Sequence, residues 1–241
     1  MLYRYETHLH CFQCSNCART SSTEYVKAYH DAGYAGMVLT DHFVLGCTCV
    51  REDEGITWEA RMHCYYGAYL AAKAVGDTMD FDVLFGIEHE CGKKEALCYG
   101  IDLDFLLANP DIPELDWAEF SRRVHDYGGI LIQAHPFRKY PDDPSMLLTE
   151  SIVDGWEVYN AGNKPVENLR AVETVQGRSG ILTAGGDVHR KVAPSLGQAG
   201  IALPYRIRDS RELVSALKKG DHQFIVNGEI TPAVTADYFT L

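Results

Sequence analysis

Ile130-Leu131-Ile132-Gln133-Ala134-His135-Pro136-Phe137 runs a short apolar stretch of strand length directly into a histidine. The arrangement recurs. Gly36–Thr40 leads into Asp41-His42, and Ile181-Leu182-Thr183-Ala184-Gly185 leads into Gly186-Asp187-Val188-His189. Phe81–Ile87 leads into Glu88, and Leu2–Thr7 into His8-Leu9-His10. Further apolar runs lie at Ala96–Ile101, Gly155–Tyr159, Gly200–Leu203 and Gln223–Val226. Helix-length stretches with start signals separate several of them. Ser21-Ser22-Thr23-Glu24 reads as a capping box, Asp116 can cap Trp117–Tyr127, Pro165 suits a first helical turn, and Asp209-Ser210-Arg211-Glu212 opens another helix. Continuous apolar strands alternating with helices predict an α/β protein with parallel strands. In an open sheet only the strands beside the switch point reach one site, whereas a barrel gathers the ends of all its strands. Ligand-type residues here follow the first, second, third, fifth and seventh strands, which favours the barrel.

The chain has 241 residues, with 22 Lys+Arg against 34 Asp+Glu and a net charge of −12. One domain over residues 1–241 is expected. A surface for nucleic acid or anionic membrane needs a basic footprint that this balance does not supply, so neither partner is expected. No apolar run of about 18 residues is present and no signal-peptide core follows Met1, so a cytoplasmic location is expected. The eight cysteines all lie in the first half, and in that setting reduced thiols or metal ligands are expected over disulfides.

Imidazole and carboxylate are ligands for zinc, manganese and ferrous iron. In His8-Leu9-His10 the period of two puts both rings on one side of an extended segment, within reach of one ion. Alone, that pair is more readily read as hydrogen-bonded histidines at a strand end, and Asp41 as a residue that orients a neighbour or caps a helix.

The ordered set, HxH, then TDH, then a carboxylate after a strand, then AHP, then D-x-H, resembles the polymerase and histidinol phosphatase (PHP) domain family over essentially the whole chain. The resemblance implies a distorted seven-stranded (β/α) barrel, TIM-like, with a metal site at the C-terminal ends of the strands. It also implies two or three divalent metal ions (manganese, zinc or iron) and hydrolysis of a phosphate ester by a metal-bridged hydroxide. Carried over by position, His8, His10, Glu88 and Asp187 hold the first ion, Glu88 bridges to a second that also takes His135, and His42 with His189 holds the third. Glu88, Asp187 and His189 are the implied catalytic residues, with the proton for the leaving group coming from a metal-bound water, from Asp187 or from His189.

The chain departs from the family pattern twice. Where relatives place a histidine after the bridging carboxylate, Glu95 is the nearest substitute, with His89 competing but expected to point away. After His10, where an aspartate or histidine is usual, the chain has Cys11-Phe12-Gln13-Cys14-Ser15-Asn16-Cys17, so Cys17 or Asn16 is the substitute. Cys11, Cys14 and Cys17 facing Cys47 and Cys49 could instead form a separate zinc or iron–sulfur site.

Arg138 is a candidate for forking onto phosphate oxygens, with Arg19, Arg190 and Lys191 as weaker ones, and Asn160 for contacting substrate. His30, His63, His125 and His222 read as surface or structural, and Tyr65, Tyr66 and Tyr69 as packing. The segment Gly46–Thr57 reads as a long loop over the mouth. The expected partner is a small-molecule phosphate ester, with no nucleic acid and no membrane. The rival expectations are C–N bond cleavage of the amidohydrolase type and a metal-binding domain without catalysis.

Overall fold

The computed structural model describes residues 1–49 and 55–239, so part of the loop expected at Gly46–Thr57 lies outside the described residues. In chain order the elements are β1 (Tyr3–Glu6), α1 (Ser22–Asp31), β2 (Gly36–Leu39), β3 (His42–Phe43), α2 (Trp58–Met79), β4 (Asp82–Cys91), β5 (Lys94–Tyr99), α3 (Leu103–Ala108) and α4 (Trp117–Tyr127). They continue with β6 (Ile130–Gln133), β7 (Gly155–Asn160), α5 (Pro165–Val175), β8 (Ile181–Gly185), β9 (Ala199–Leu203), α6 (Ser210–Lys219), β10 (Gln223–Val226) and β11 (Glu229–Thr231). The helix starts follow the local chemistry read from the sequence. Ser21 and Glu24 close a capping box on α1, Asp116 accepts from the Glu119 amide, and Asp209 accepts from the amides of Arg211 and Glu212.

The architecture is α/β, as expected, but the sheet is mixed. Ten strands follow one path in the order β11-β10-β9-β1-β2-β4-β5-β6-β7-β8, curled into a half-barrel. The expected distorted seven-stranded (β/α) barrel is met only in part. β5 runs antiparallel to both β4 and β6, and β9 runs antiparallel to β1. The physical reason lies in one turn. Cys91 pairs with Lys94, leaving Gly92 and Lys93 as a two-residue hairpin with Gly92 at φ +71, and two residues cannot carry a parallel crossover. β4 and β5 extend past the apolar runs Phe81–Ile87 and Ala96–Ile101 into polar residues.

The curl brings β8 beside the end of β1. Leu9 and Val188 form a parallel bridge, the His10 amide donates to the Val188 carbonyl at 3.1 Å, and the Thr7 hydroxyl donates to the Ala184 carbonyl at 2.6 Å. The two faces of the sheet pack separately. Val83, Phe85, Ile87, Leu131 and Trp156 meet helices α1 to α5 on the outside, whereas Tyr5, Val38, Leu84, Leu97, Tyr99 and Ile130 meet Leu213, Val214 and Leu217 of α6 on the inside. Strand alternation then places Glu88 on the inner face with Leu84, and Glu95 with Leu97, at the rim away from α6. No helix among the described residues is long and apolar enough to cross a membrane.

Candidate metal centre

Glu88 is the hub. Its Oε1 lies 3.1 Å from Nε2 of His8 and 3.1 Å from Nε2 of His135, and its Oε2 lies 2.8 Å from Nδ1 of His42. Asp187 Oδ1 lies 3.1 Å from Nε2 of His10 and 3.5 Å from Nε2 of His8. The packets expected from the sequence therefore meet at the carboxyl ends of the parallel strands. Glu95 arrives from the hairpin partner strand, with its Oε2 3.4 Å from Nε2 of His135.

The rings are aimed by partners on their other nitrogens. Nδ1 of His8 lies 3.0 Å from Oε1 of Glu157, a fully buried carboxylate on β7 that also accepts the His135 amide at 2.9 Å and the Asn160 side-chain amide at 2.8 Å. Nδ1 of His10 lies 3.2 Å from Oγ of Ser15, which itself donates to Asp41 at 2.7 Å. With a cation bound, a proton kept at each Nδ1 would leave each Nε2 with a lone pair to give it. Glu6, also buried, accepts the amides of Thr7, His8 and Gly186 and the Tyr29 hydroxyl, and so ties the end of β1 to the end of β8. Sequence reasoning missed Glu6, Ser15 and Glu157. The available signal was a glutamate inside an otherwise buried strand, which is rare without a partner.

The local backbone is shaped for the same purpose. His135 and Asp187 have φ of +26 and +49, a region costly for non-glycine residues by about 1–3 kcal/mol each and concentrated at functional sites. A Cβ on Gly185 would stand 2.3 Å from Oε1 of Glu157 and 2.6 Å from Cβ of His8, so only glycine lets β8 pass the centre.

Electrostatically, Glu88 and Asp187 are buried groups whose desolvation would raise their pKa, yet the facing imidazoles, with Arg138 for Asp187, hold both well below the usual carboxylate range. For His8, burial favours the neutral ring, but Glu157, Asp187 and Glu88 together raise its pKa well above the ordinary value. His10 is pushed down to about 3 by burial and by the neighbouring His42.

The residues fit divalent cations. Oε2 of Glu88 and Nδ1 of His42 are buried, close, and without a hydrogen bond, the arrangement of two donors directed at a shared ion. Donor atoms fall within 4.8 Å of one another in the sets His8–His10–Glu88, His8–His135–Asp187, His42–Glu88–Glu95 and His10–His42–His189. The nearby His189 and His42 hold the Cys17 pKa down to about 6 against the effect of burial, while the compact donor set at the expected third position is His10, His42 and His189.

Other expectations resolve variously. His89 points outward, its ring 4.3 Å from that of Phe120 and edge-on to Trp117 at 5.6 Å. Arg138 pairs with Asp187 and also donates to Asn160 at 2.8 Å and Asn163 at 2.7 Å. Asn160 is fully buried, bonded to Arg138, Gly162 and Glu157, so it positions neighbours and is not available to contact substrate. Arg19 is bonded to the carbonyls of Asn16 and Ala18, and Lys191 pairs with Glu24. His125 pairs with Asp154 and His222 bonds the Leu182 carbonyl; His30 and His63 are exposed. None of the eight cysteines is in a disulfide. Beside the centre lies a cavity of about 260 Å³ lined by His135, Arg138, Glu95, Lys93, Lys94 and Lys139, among others.

Comparison of the whole structure shows where this fold has been seen before. A two-domain protein from Bacteroides vulgatus containing a predicted PHP-like metal-dependent phosphoesterase superposes with a TM-score of 0.69 at 13% identity, over 95% of this chain and 66% of that one. This chain has the PHP fold. Endonuclease Q of Pyrococcus furiosus, a lesion-specific endonuclease, shares it with a TM-score of 0.65 at 11% identity, over 96% of this chain and 60% of that one. An amidohydrolase from Chromobacterium violaceum shares it with a TM-score of 0.57 at 14% identity, over 78% of this chain and 88% of that one. No family model matches the sequence, and no curated protein matches it. The chain spans less than two thirds of the length of the first of these neighbours and of Endonuclease Q. That neighbour is an endonuclease, whereas the expectation of no nucleic acid for this chain rests on its net charge alone.

Proposed function

We propose that this chain is a metal-dependent phosphoesterase acting on a small-molecule phosphate ester at the mouth of the curled sheet. The observation that carries the reading is the convergence of His8, His42 and His135 on Glu88, with the Nδ1 of His8 tied to Glu157. His8, His10, Glu88 and Asp187 would hold one ion, Glu88, His135 and Glu95 a second, and His42, His189 and Cys17 a third. Bound divalent ions supply Lewis acidity, polarising phosphoryl oxygens and lowering the pKa of water toward neutrality.

The chain's own residues do the rest. Lys93, Lys94, Arg138 and Lys139 line the cavity and favour an anionic substrate within a chain of net charge −12. The cavity, about 260 Å³, lies at the small end of ligand sites, which favours a compact monoester. His189 keeps Nδ1 at the Asp187 carbonyl, 3.0 Å away, which leaves its other nitrogen as the atom that would face the third ion. Asn160 and Asn163 hold Arg138 beside Asp187.

The test is hydrolysis of a panel of monoesters, diesters, cyclic phosphates, amides and duplex DNA with an abasic lesion, after loading with manganese, zinc or iron, with the products of each separated and identified. Hydrolysis of small esters is expected. Turnover confined to amides would establish the amidohydrolase reading, cleavage confined to DNA would overturn the charge argument, and full metal loading with no turnover would leave a binding domain.

A further inference from the structure

Five thiols gather beside the metal centre without belonging to it. Cys11 and Cys14 follow β1, Cys47 and Cys49 follow β3, and Cys64 lies on α2. Backbone pairing holds the first two segments together: Ser15 and Cys47 form an antiparallel bridge, the Asn16 amide donates to the Gly46 carbonyl at 2.9 Å, and the Thr48 amide to the Cys14 carbonyl at 2.8 Å. Within this frame the Cys64 thiol donates to Sγ of Cys49 at 3.4 Å, and the Cys49 amide donates to Sγ of Cys47 at 3.3 Å. Cys64 is exposed and Cys49 half-buried, so a small solute reaches both, whereas Cys11, Cys14 and Cys47 are buried.

A structural zinc site needs about four donors around one point at roughly 2.3 Å from the ion. Among the described residues, the sulfur-containing set compact enough for one ion is Cys11–Cys14–Asp41, which includes neither Cys49 nor Cys64. The Cys49 and Cys64 sulfurs meet as a pair, the arrangement from which a bond between them can form.

We propose that Cys49 and Cys64 are a reversible disulfide pair, formed by a peroxide oxidant. The neighbouring Cys14 and Cys47 thiols, with the Cys64 thiol that donates toward its sulfur at 3.4 Å, hold Cys49 below the ordinary thiol value despite partial burial, which makes it the nucleophile. Its thiolate takes one peroxide oxygen as the O–O bond breaks, giving a sulfenic acid and releasing hydroxide, which is protonated to water. The Cys64 sulfur then attacks the Cys49 sulfur, the S–O bond breaks, and hydroxide leaves with the Cys64 proton as a second water. Two thiols and one hydrogen peroxide thus become one disulfide and two waters. A thiol reductant reverses the change.

The experiment is non-reducing peptide mapping of the metal-loaded protein after hydrogen peroxide, with thiol counting. The free thiols should fall from eight to six, with one Cys49–Cys64 linked peptide that disappears on reduction. In Cys64→Ser, an exposed change that leaves the fold intact, that peptide should be absent and a 1,3-dione reagent should trap sulfenic acid at Cys49. Linkage of Cys49 to Cys14 or Cys47 instead, thiols oxidised with no link, or a metal ion lost in Cys49→Ser that shields the thiols from peroxide would each overturn the proposal.

Discussion

Nδ1 of His8 and Oε1 of Glu157 lie 3.0 Å apart, both fully buried, and this contact decides which nitrogen of His8 faces Glu88. Glu157→Gln keeps an acceptor for the ring but brings an amide donor against the His135 N–H, which Glu157 Oε2 now accepts at 2.9 Å. Loss of an outer partner of this kind costs about 10–100-fold in metal affinity. Calorimetric titration of metal into the stripped variant should show that loss with the circular dichroism unchanged; wild-type affinity would deny Glu157 its positioning role.

Glu88→Gln should abolish bound metal and lower phosphate release by more than about 100-fold, beyond the range for an outer partner. His30→Ala, on an exposed face of α1, should match wild type in both readouts. Chelation of wild type should reproduce the Glu88→Gln loss and readdition should reverse it. Equal activity in the two variants would remove Glu88 from the centre.

Gly185→Ala tests the close approach of β8. Its methyl would meet Glu157 Oε1 at 2.3 Å and His8 Cβ at 2.6 Å, an overpacking expected to cost about 1–3 kcal/mol. Urea unfolding should show lower stability together with weakened metal binding, because the atoms displaced are those that aim His8. A stable variant with normal metal content would mean that the strand yields without disturbing the ring.

His89 gives a pH prediction away from the cavity. Burial pushes its pKa down to about 4, and neither ring nitrogen has a hydrogen-bond partner among the described residues. A histidine with a lowered folded value keeps its full stability above the unfolded value near 6.5 and loses it as pH falls toward 4, because only the unfolded chain takes up the proton. The loss is about 3 kcal/mol over that window. His89→Phe, packed against Phe120 and Trp117, should stabilise the metal-free protein and flatten that slope; urea midpoints at pH 7 and pH 5 for both proteins check the sign.

The sequence by itself determined the α/β character, most strands and helix starts, and the ligand types, because buried strands are written as apolar runs and caps as local hydrogen-bonding residues. Ile181–Gly185 and Gln223–Val226 form strands with the bounds read from the chain. Tertiary structure alone decided what local patterns do not encode. The Gly92-Lys93 hairpin set β5 antiparallel and turned a barrel expectation into a mixed, curled sheet, since the polar ends of β4 and β5 face the centre and so lack the apolar signature of a strand. Glu157 and Ser15 became partners of His8 and His10 only through contacts 149 and 5 residues apart, and Asn160 was withdrawn from the surface by bonds to Arg138 and Glu157. A side chain's residue type is local, but its direction and its burial are properties of everything packed around it.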